Sequence, residues 1–233
     1  MTEGTSRLLR ILEPAMLLAV PAVLLLCAFA ELELTAALTL VTVVLSLLPF
    51  FLRFESQKPR PRDIMPIVVL AAIAAVGRIV FAPFPNFKPV TAIVMVGGIC
   101  FGRQSGFLTG ALAALGSNLF FGQGPWTPWQ MYAWGLIGFM AGLLAEKGAF
   151  RHSVFVYLFG FLSAMAYGVI LDSWYVVGFV HPLTWQSALA GYLAGMPFNL
   201  SHAVATVVFL LPIYRPWCRK IRRIQKKYGM AGL

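Results

Sequence analysis

The stretch Ile64-Met-Pro-Ile-Val-Val-Leu-Ala-Ala-Ile-Ala-Ala-Val-Gly-Arg-Ile-Val-Phe-Ala82 carries one charge, Arg78, in a run long enough to be a membrane span. A helix needs about 20 mostly apolar residues to cross roughly 30 Å of hydrocarbon. Seven further runs read the same way: Pro14–Ala30, Leu34–Leu52, Pro89–Gly102, Gly106–Phe121, Trp129–Ala145, Val154–Val177 and Trp185–Tyr214. The Pro89 and Gly106 runs are short, so they are expected to be tilted or joined by a tight turn at Arg103–Gln104–Ser105.

Composition agrees. Of 233 residues, 60% are apolar and 11% charged, where a soluble domain carries about a quarter charged residues because its surface faces water. The expected fold is all-α, a polytopic membrane helical bundle of eight spans. Cys27, Cys100 and Cys218 have no CxxC spacing and read as packing residues rather than a metal site or disulfide framework. The first apolar run is followed at once by another, so it is not expected to be a cleavable signal.

Charge placement sets the expected orientation. Arg7, Arg10, Arg53, Lys58, Arg60, Arg62, Arg103, Lys147 and Arg151 all fall on one side of an eight-span arrangement. So do Arg215, Arg219, Lys220, Arg222, Arg223, Lys226 and Lys227, which completes sixteen of the eighteen basic residues. The opposite loops hold Glu31, Glu33 and Lys88. Cytoplasmic loops collect Lys and Arg, so both termini are expected in the cytoplasm, with the chain in an inner or plasma membrane. The net charge of +10 is then a topology signal with a secondary attraction to anionic lipid, and nucleic acid is not needed to explain it.

The chain divides into an N-terminal hairpin (1–53), a polar linker (54–63), a six-helix core (64–215) and a basic cytoplasmic tail (216–233). The core carries nearly all the Trp, Gly and intramembrane polar residues. Its outward loops are Ala82-Pro-Phe-Pro-Asn-Phe-Lys-Pro89, Phe121-Gly-Gln-Gly-Pro-Trp-Thr-Pro-Trp-Gln130 and Gly178-Phe-Val-His-Pro-Leu-Thr-Trp-Gln186. Proline gives them fixed shapes. Trp126, Trp129, Trp134, Trp174 and Trp185 fall near that face, against Trp217 alone on the other. A headgroup-level aromatic belt would occupy both faces, so a pocket for an organic ligand is the favoured reading.

Polar groups within spans need a partner or a task. Arg78 and Asp172 stand near the outer ends of their helices, where a helix-tying ion pair is favoured over a ligand-facing role. Asn118 is another candidate. Asn199 and His202, three apart and so on one helix face, are favoured as helix-tying hydrogen bonders. Ala71 and Ala75 let another helix approach closely, either from within the bundle or from a partner protein. No GxxxxGK[ST] phosphate loop, HExxH zinc site or usable GxSG nucleophile occurs, so the chain reads as a binding protein with no cofactor of its own.

Three segments carry a family resemblance. They are Asn86-Phe-Lys-Pro-Val-Thr-Ala-Ile-Val-Met-Val-Gly-Gly98, Phe101-Gly-Arg-Gln-Ser-Gly-Phe-Leu-Thr-Gly110 and Gly122-Gln-Gly-Pro-Trp-Thr-Pro-Trp-Gln-Met131. Over about residues 62–215 the chain resembles the substrate-binding (S) subunits of energy-coupling factor (ECF) transporters, vitamin importers of the ABC type. In detail it resembles the subgroup that takes cobalamin or related corrinoids. The resemblance implies a ligand site at the outer face, which falls here on Asn86, Lys88, Trp126, Trp129, Gln130, Trp174 and His181. It also implies docking through an AxxxA motif, matched by Ala71 and Ala75. The partners it implies are a transmembrane coupling subunit and two ATPase subunits. Another vitamin or precursor is an alternative ligand, and an intramembrane enzyme acting on a lipid or isoprenoid is a competing function. The two N-terminal helices are additional to the six-helix family core.

Overall fold

A computed structural model describes residues 3–30, 35–56 and 60–229. These form eight helices: α1 (Glu3–Ala30), α2 (Thr35–Ser56), α3 (Pro61–Val80), α4 (Val90–Phe101), α5 (Arg103–Phe121), α6 (Trp126–Glu146), α7 (Ser153–Phe179) and α8 (Trp185–Tyr228). Glu31, Glu33 and Lys58, used above to orient the chain, lie outside the described residues.

Among the described helices, α2, α3, α7 and α8 are long and apolar enough to cross a membrane. The chain is therefore an all-helical protein of membrane-spanning character. For two of the other helices, α4 and α5, the reason for falling short is physical. Helix α4 has 12 residues, about 18 Å at 1.5 Å per residue, and nearly all of it is buried inside the bundle. Helix α5 carries Gln104, Ser105, Thr109, Ser117 and Asn118, all buried, which lower its hydropathy without meeting lipid.

Glycine lets α4, α5 and α6 cross almost backbone to backbone. A Cβ on Gly98 or Gly106 would strike the Gly138 carbonyl, and one on Gly110 would strike that of Trp134. The joint between α4 and α5 is a single residue, Gly102, whose φ of 91° suits a residue without a Cβ. Arg103–Gln104–Ser105, expected to form a turn, are already helical.

The N-terminal hairpin lies against one flank of the core, α2 against α5, α6 and α7, and α1 against α7. Phe50 stacks on Phe107 at 3.6 Å between ring centroids. Arg53 pairs with Glu13 across the hairpin. Pro21 has no N–H, so the Leu17 carbonyl loses its intrahelical donor; the Tyr132 hydroxyl of α6 donates to it instead, at 2.6 Å.

Two expectations are corrected here. The small residues of α3 do not face outward. Ala71 and Ala75 are buried, with α5 and α4 as the neighbours of α3 and Ala75 near Gly116. They are internal packing residues, and the exposed stripe of α3 is Met65, Val68, Val69, Ile73 and Val76. The basic tail is also no separate segment. Helix α8 runs unbroken for 44 residues through Pro197, Pro212 and Pro216, and ends at Gly229 in the left-handed conformation. Ile213, Tyr214, Trp217 and Ile221 pack on the core, and that contact holds the extension in helical form.

Candidate functional site

The end of α3, the α3–α4 loop, the start of α6, the end of α7 and the start of α8 converge at one end of the bundle. They enclose a cavity of about 300 Å³. Its wall includes Arg78, Asn86, Lys88, Gln130, Trp134 and Tyr167 on one side and Gly168, Asp172, Gly195, Asn199 and His202 on the other.

Each wall is braced by hydrogen bonds between helices. Arg78 Nη1 donates to Ser117 Oγ and Asn118 Oδ1, both at 2.7 Å. Asn118 passes the chain on, donating to Thr127 Oγ1 and Gln130 Oε1 at 2.9 Å. The Arg78 guanidinium lies over Phe121 and Trp134, 4.7 and 5.2 Å from their ring centroids. A desolvated cation over an aromatic face is favourable by up to about 2 kcal/mol. A second chain joins α6, α4 and α8. Trp134 Nε1 donates to Thr91 Oγ1 at 3.0 Å, and Thr91 Oγ1 lies 2.8 Å from His202 Nε2. The indole nitrogen only donates, so Thr91 Oγ1 accepts from Trp134 and bridges it to the His202 imidazole. Tyr167 stacks on Trp134 at 4.6 Å and meets His202 edge-on at 4.9 Å.

Asp172 accepts from Asn199 Nδ2 at 2.6 Å. Two glycines make that possible: a Cβ on Gly168 would strike Asn199, and one on Gly195 would strike Asp172. The Arg78–Asp172 ion pair expected from sequence is not formed. The two residues face the same cavity, and each is held by uncharged partners on the helix beside it, Arg78 by Ser117 and Asn118 of α5 and Asp172 by Asn199 of α8.

The α3–α4 loop is shaped as well. Asn86 has φ of 52°, a left-handed conformation that Asn tolerates better than most residues. Ser201 of α8 donates to the Pro85 carbonyl at 3.0 Å and so ties the loop down. Burial, and then the neighbouring Arg78 charge, hold the Lys88 amine below its ordinary range. Its ammonium lies 5.7 Å from the Phe121 ring centroid and takes part in none of the ion pairs among the described residues. The cavity therefore presents two cations and one carboxylate, with amides, an imidazole and an aromatic wall.

Of the residues expected to bind ligand, Asn86, Lys88 and Gln130 line this cavity. Trp129 is fully buried behind it, packed on Trp174 with centroids 6.4 Å apart, and its indole N–H has no hydrogen-bond partner. Trp126 is 39% exposed at the start of α6, and His181 is exposed beside a cis bond to Pro182. Neither reaches the cavity. Tyr167 and Gly168 were not singled out from sequence; an intramembrane Tyr beside a Gly was the signal available. Among the described residues no three His, Cys, Asp or Glu side chains group as metal ligands.

Residues 57–215 match the model of DUF6580, a family of unknown function. That match covers most of the linker and the core from α3 into α8 as far as residue 215, and leaves out the N-terminal hairpin. No solved structure matches the chain.

Proposed function

We propose, for a chain that belongs to DUF6580, that it is a solute-binding membrane subunit of the ECF type, taking a small anionic vitamin or vitamin precursor from the outer face for import. One observation carries this reading: a polar cavity at the aromatic end of an apolar bundle, with an excess of cationic over anionic side chains. Buried polar groups in a membrane protein are costly unless they serve a ligand or one another. Among the described residues the amine of Lys88 joins no ion pair.

Volume favours a small ligand. Pockets for drug-sized ligands span roughly 300–1,000 Å³, and this one holds about 300 Å³. A corrin macrocycle with its nucleotide arm is far larger than that lower bound. The smaller alternative is therefore favoured over cobalamin. A ligand carboxylate or phosphate would meet Lys88, its uncharged polar edge would meet Gln130, Asn86 and Asn199, and its flat part would lie along Trp134 and Tyr167.

In this reading the chain has eight spans in a bacterial inner or plasma membrane, with both termini in the cytoplasm. A separate coupling subunit and two ATPase subunits supply the energy. With Ala71 and Ala75 turned inward, contact with a coupling subunit falls to the exposed stripe of the same helix, Val69, Ile73 and Val76. The purified full-length chain, extracted and analysed by mass spectrometry, tests the proposal. A small anion recovered in stoichiometric amount, and lost from the Lys88→Met protein, is the expected result. A bound corrinoid would overturn the ligand class. No saturable binding across a panel of water-soluble vitamins and precursors would overturn the receptor.

A further inference from the structure

We propose that the groove between the α6–α7 turn and the extension of α8 is a second binding site, one that takes a phosphate group. It lies at the opposite end of the bundle from the solute cavity and has a volume of about 560 Å³. Four of its cations, Arg215, Arg219, Arg222 and Lys226, are spaced four, three and four apart, which places them on one face of the helix. Arg151 faces them from the turn.

The groove is built as well as charged. Arg215 Nε donates to Ser153 Oγ at 3.1 Å, which joins the two walls. Phe150, Tyr214 and the buried Cys218 form its floor. Helix α7 begins at Ser153, which lines the groove, with no side-chain cap from His152, and the N-terminal end of a helix favours anions.

Among the described residues no acidic side chain lines the groove. Among the described residues, none of its cations belongs to an ion pair, since those pairs are Arg53–Glu13, Arg60–Asp63 and Arg103–Glu146. Cations crowded into one concavity repel across less than a Debye length of about 8 Å, and an anion held among them removes that cost. Guanidinium forks match phosphate oxygens two at a time. Basic grooves beside spanning helices suit anionic headgroups, so the phosphate is either that of a lipid or a soluble one. This inference rests on the membrane-spanning character of the chain and stands whether or not the outer cavity binds a solute.

The test uses the full-length chain in detergent, with native mass spectrometry following titration by phosphatidylglycerol or phosphatidylcholine. Circular dichroism checks the fold of each variant. One phosphatidylglycerol is expected to bind in preference to phosphatidylcholine. The Arg215→Gln/Arg219→Gln/Arg222→Gln variant should lose about a hundredfold in that affinity, at roughly a factor of five per cation. A control that removes the same charge elsewhere, Arg62→Gln/Lys147→Gln/Lys227→Gln, should change it by less than about fivefold. Should the first variant misfold, Arg219→Gln/Lys226→Gln carries the same test with a smaller loss. Inorganic phosphate identifies the source: failure to compete assigns the lipid headgroup, and competition with a raised melting temperature assigns a soluble phosphate. Equal losses in groove and control variants, or no preference for an anion of either kind, would overturn the proposal.

Discussion

Replacing Tyr132 with Phe removes one oxygen and leaves the ring in place, so it isolates the bond that fastens the N-terminal hairpin to the core. The hydroxyl donates at 2.6 Å to the Leu17 carbonyl, which lacks its helical donor because residue 21 is proline. Both Tyr132 and Leu17 are buried, so water cannot take over. A hydrogen bond lost with one buried partner left unsatisfied costs about 1–3 kcal/mol, while side-chain bonds in a membrane bundle average about 0.6 kcal/mol. We expect Tyr132→Phe to destabilise the protein by about 1–2 kcal/mol in equilibrium unfolding by dodecyl sulfate. The second perturbation is Pro21→Ala, which gives Leu17 an intrahelical donor. In that background Tyr132→Phe should cost less, with a coupling energy of about 1 kcal/mol. An equal cost of Tyr132→Phe in both backgrounds would refute the reasoning, because the orphaned carbonyl would then not be what the tyrosine serves.

Ala75→Leu should destabilise the fold by about 1–3 kcal/mol, the cost of overpacking at a buried site, while Ile73→Ala on the exposed stripe should leave the unfolding midpoint nearly unchanged. Gly168→Ala places a Cβ against Asn199; a saturable ligand should bind at least tenfold more weakly, read by calorimetry, and retained affinity would remove Asn199 and Asp172 from the binding wall. Lys88→Met should weaken an anionic ligand about tenfold or more, and Lys88→Arg should retain most of the affinity. The same residue sets a pH dependence. Its amine titrates below the ordinary lysine range in the free protein, and a bound anion raises it, so affinity should be full below the free value and fall as pH rises through it. Affinity that is flat through the alkaline range would exclude Lys88 as the anion's partner.

Helix existence and order were legible in the sequence because apolar runs bounded by Pro and charge report span length directly. Which way each helix turns was not. The Ala71–Ala75 pair reads identically whether it welcomes a partner protein or α5, since small residues signal close approach and not its direction. Arg78 and Asp172 were placed at similar depth, and both do face one cavity. Depth, however, carries no information on the competing acceptors Ser117, Asn118 and Asn199, which take the bonds instead. The cavity lies at the end of the bundle where most of the tryptophans stand, yet only Trp134 lines it, because an indole is equally at home in a wall, behind it or at the lipid boundary. Tyr167 and Gly168 fall within a run of apolar residues, where a Tyr beside a Gly is too common a pairing to mark a site. The cations of the α8 extension report which side of the membrane it lies on but not its conformation, whereas Ile213, Trp217 and Ile221 recur every fourth residue and pack along the core.

The unbroken course of α8 has a mechanical consequence. At 44 residues it is a beam of about 66 Å, with Gly195, Asn199 and His202 in the wall of the solute cavity and Arg219, Arg222 and Lys226 at its far tip. A tilt of about 5° at one end of such a beam sweeps the other through roughly 6 Å. A displacement of α8 at the cavity would therefore reach the tip only while the helix stays straight through Pro212 and Pro216, which lie between the two.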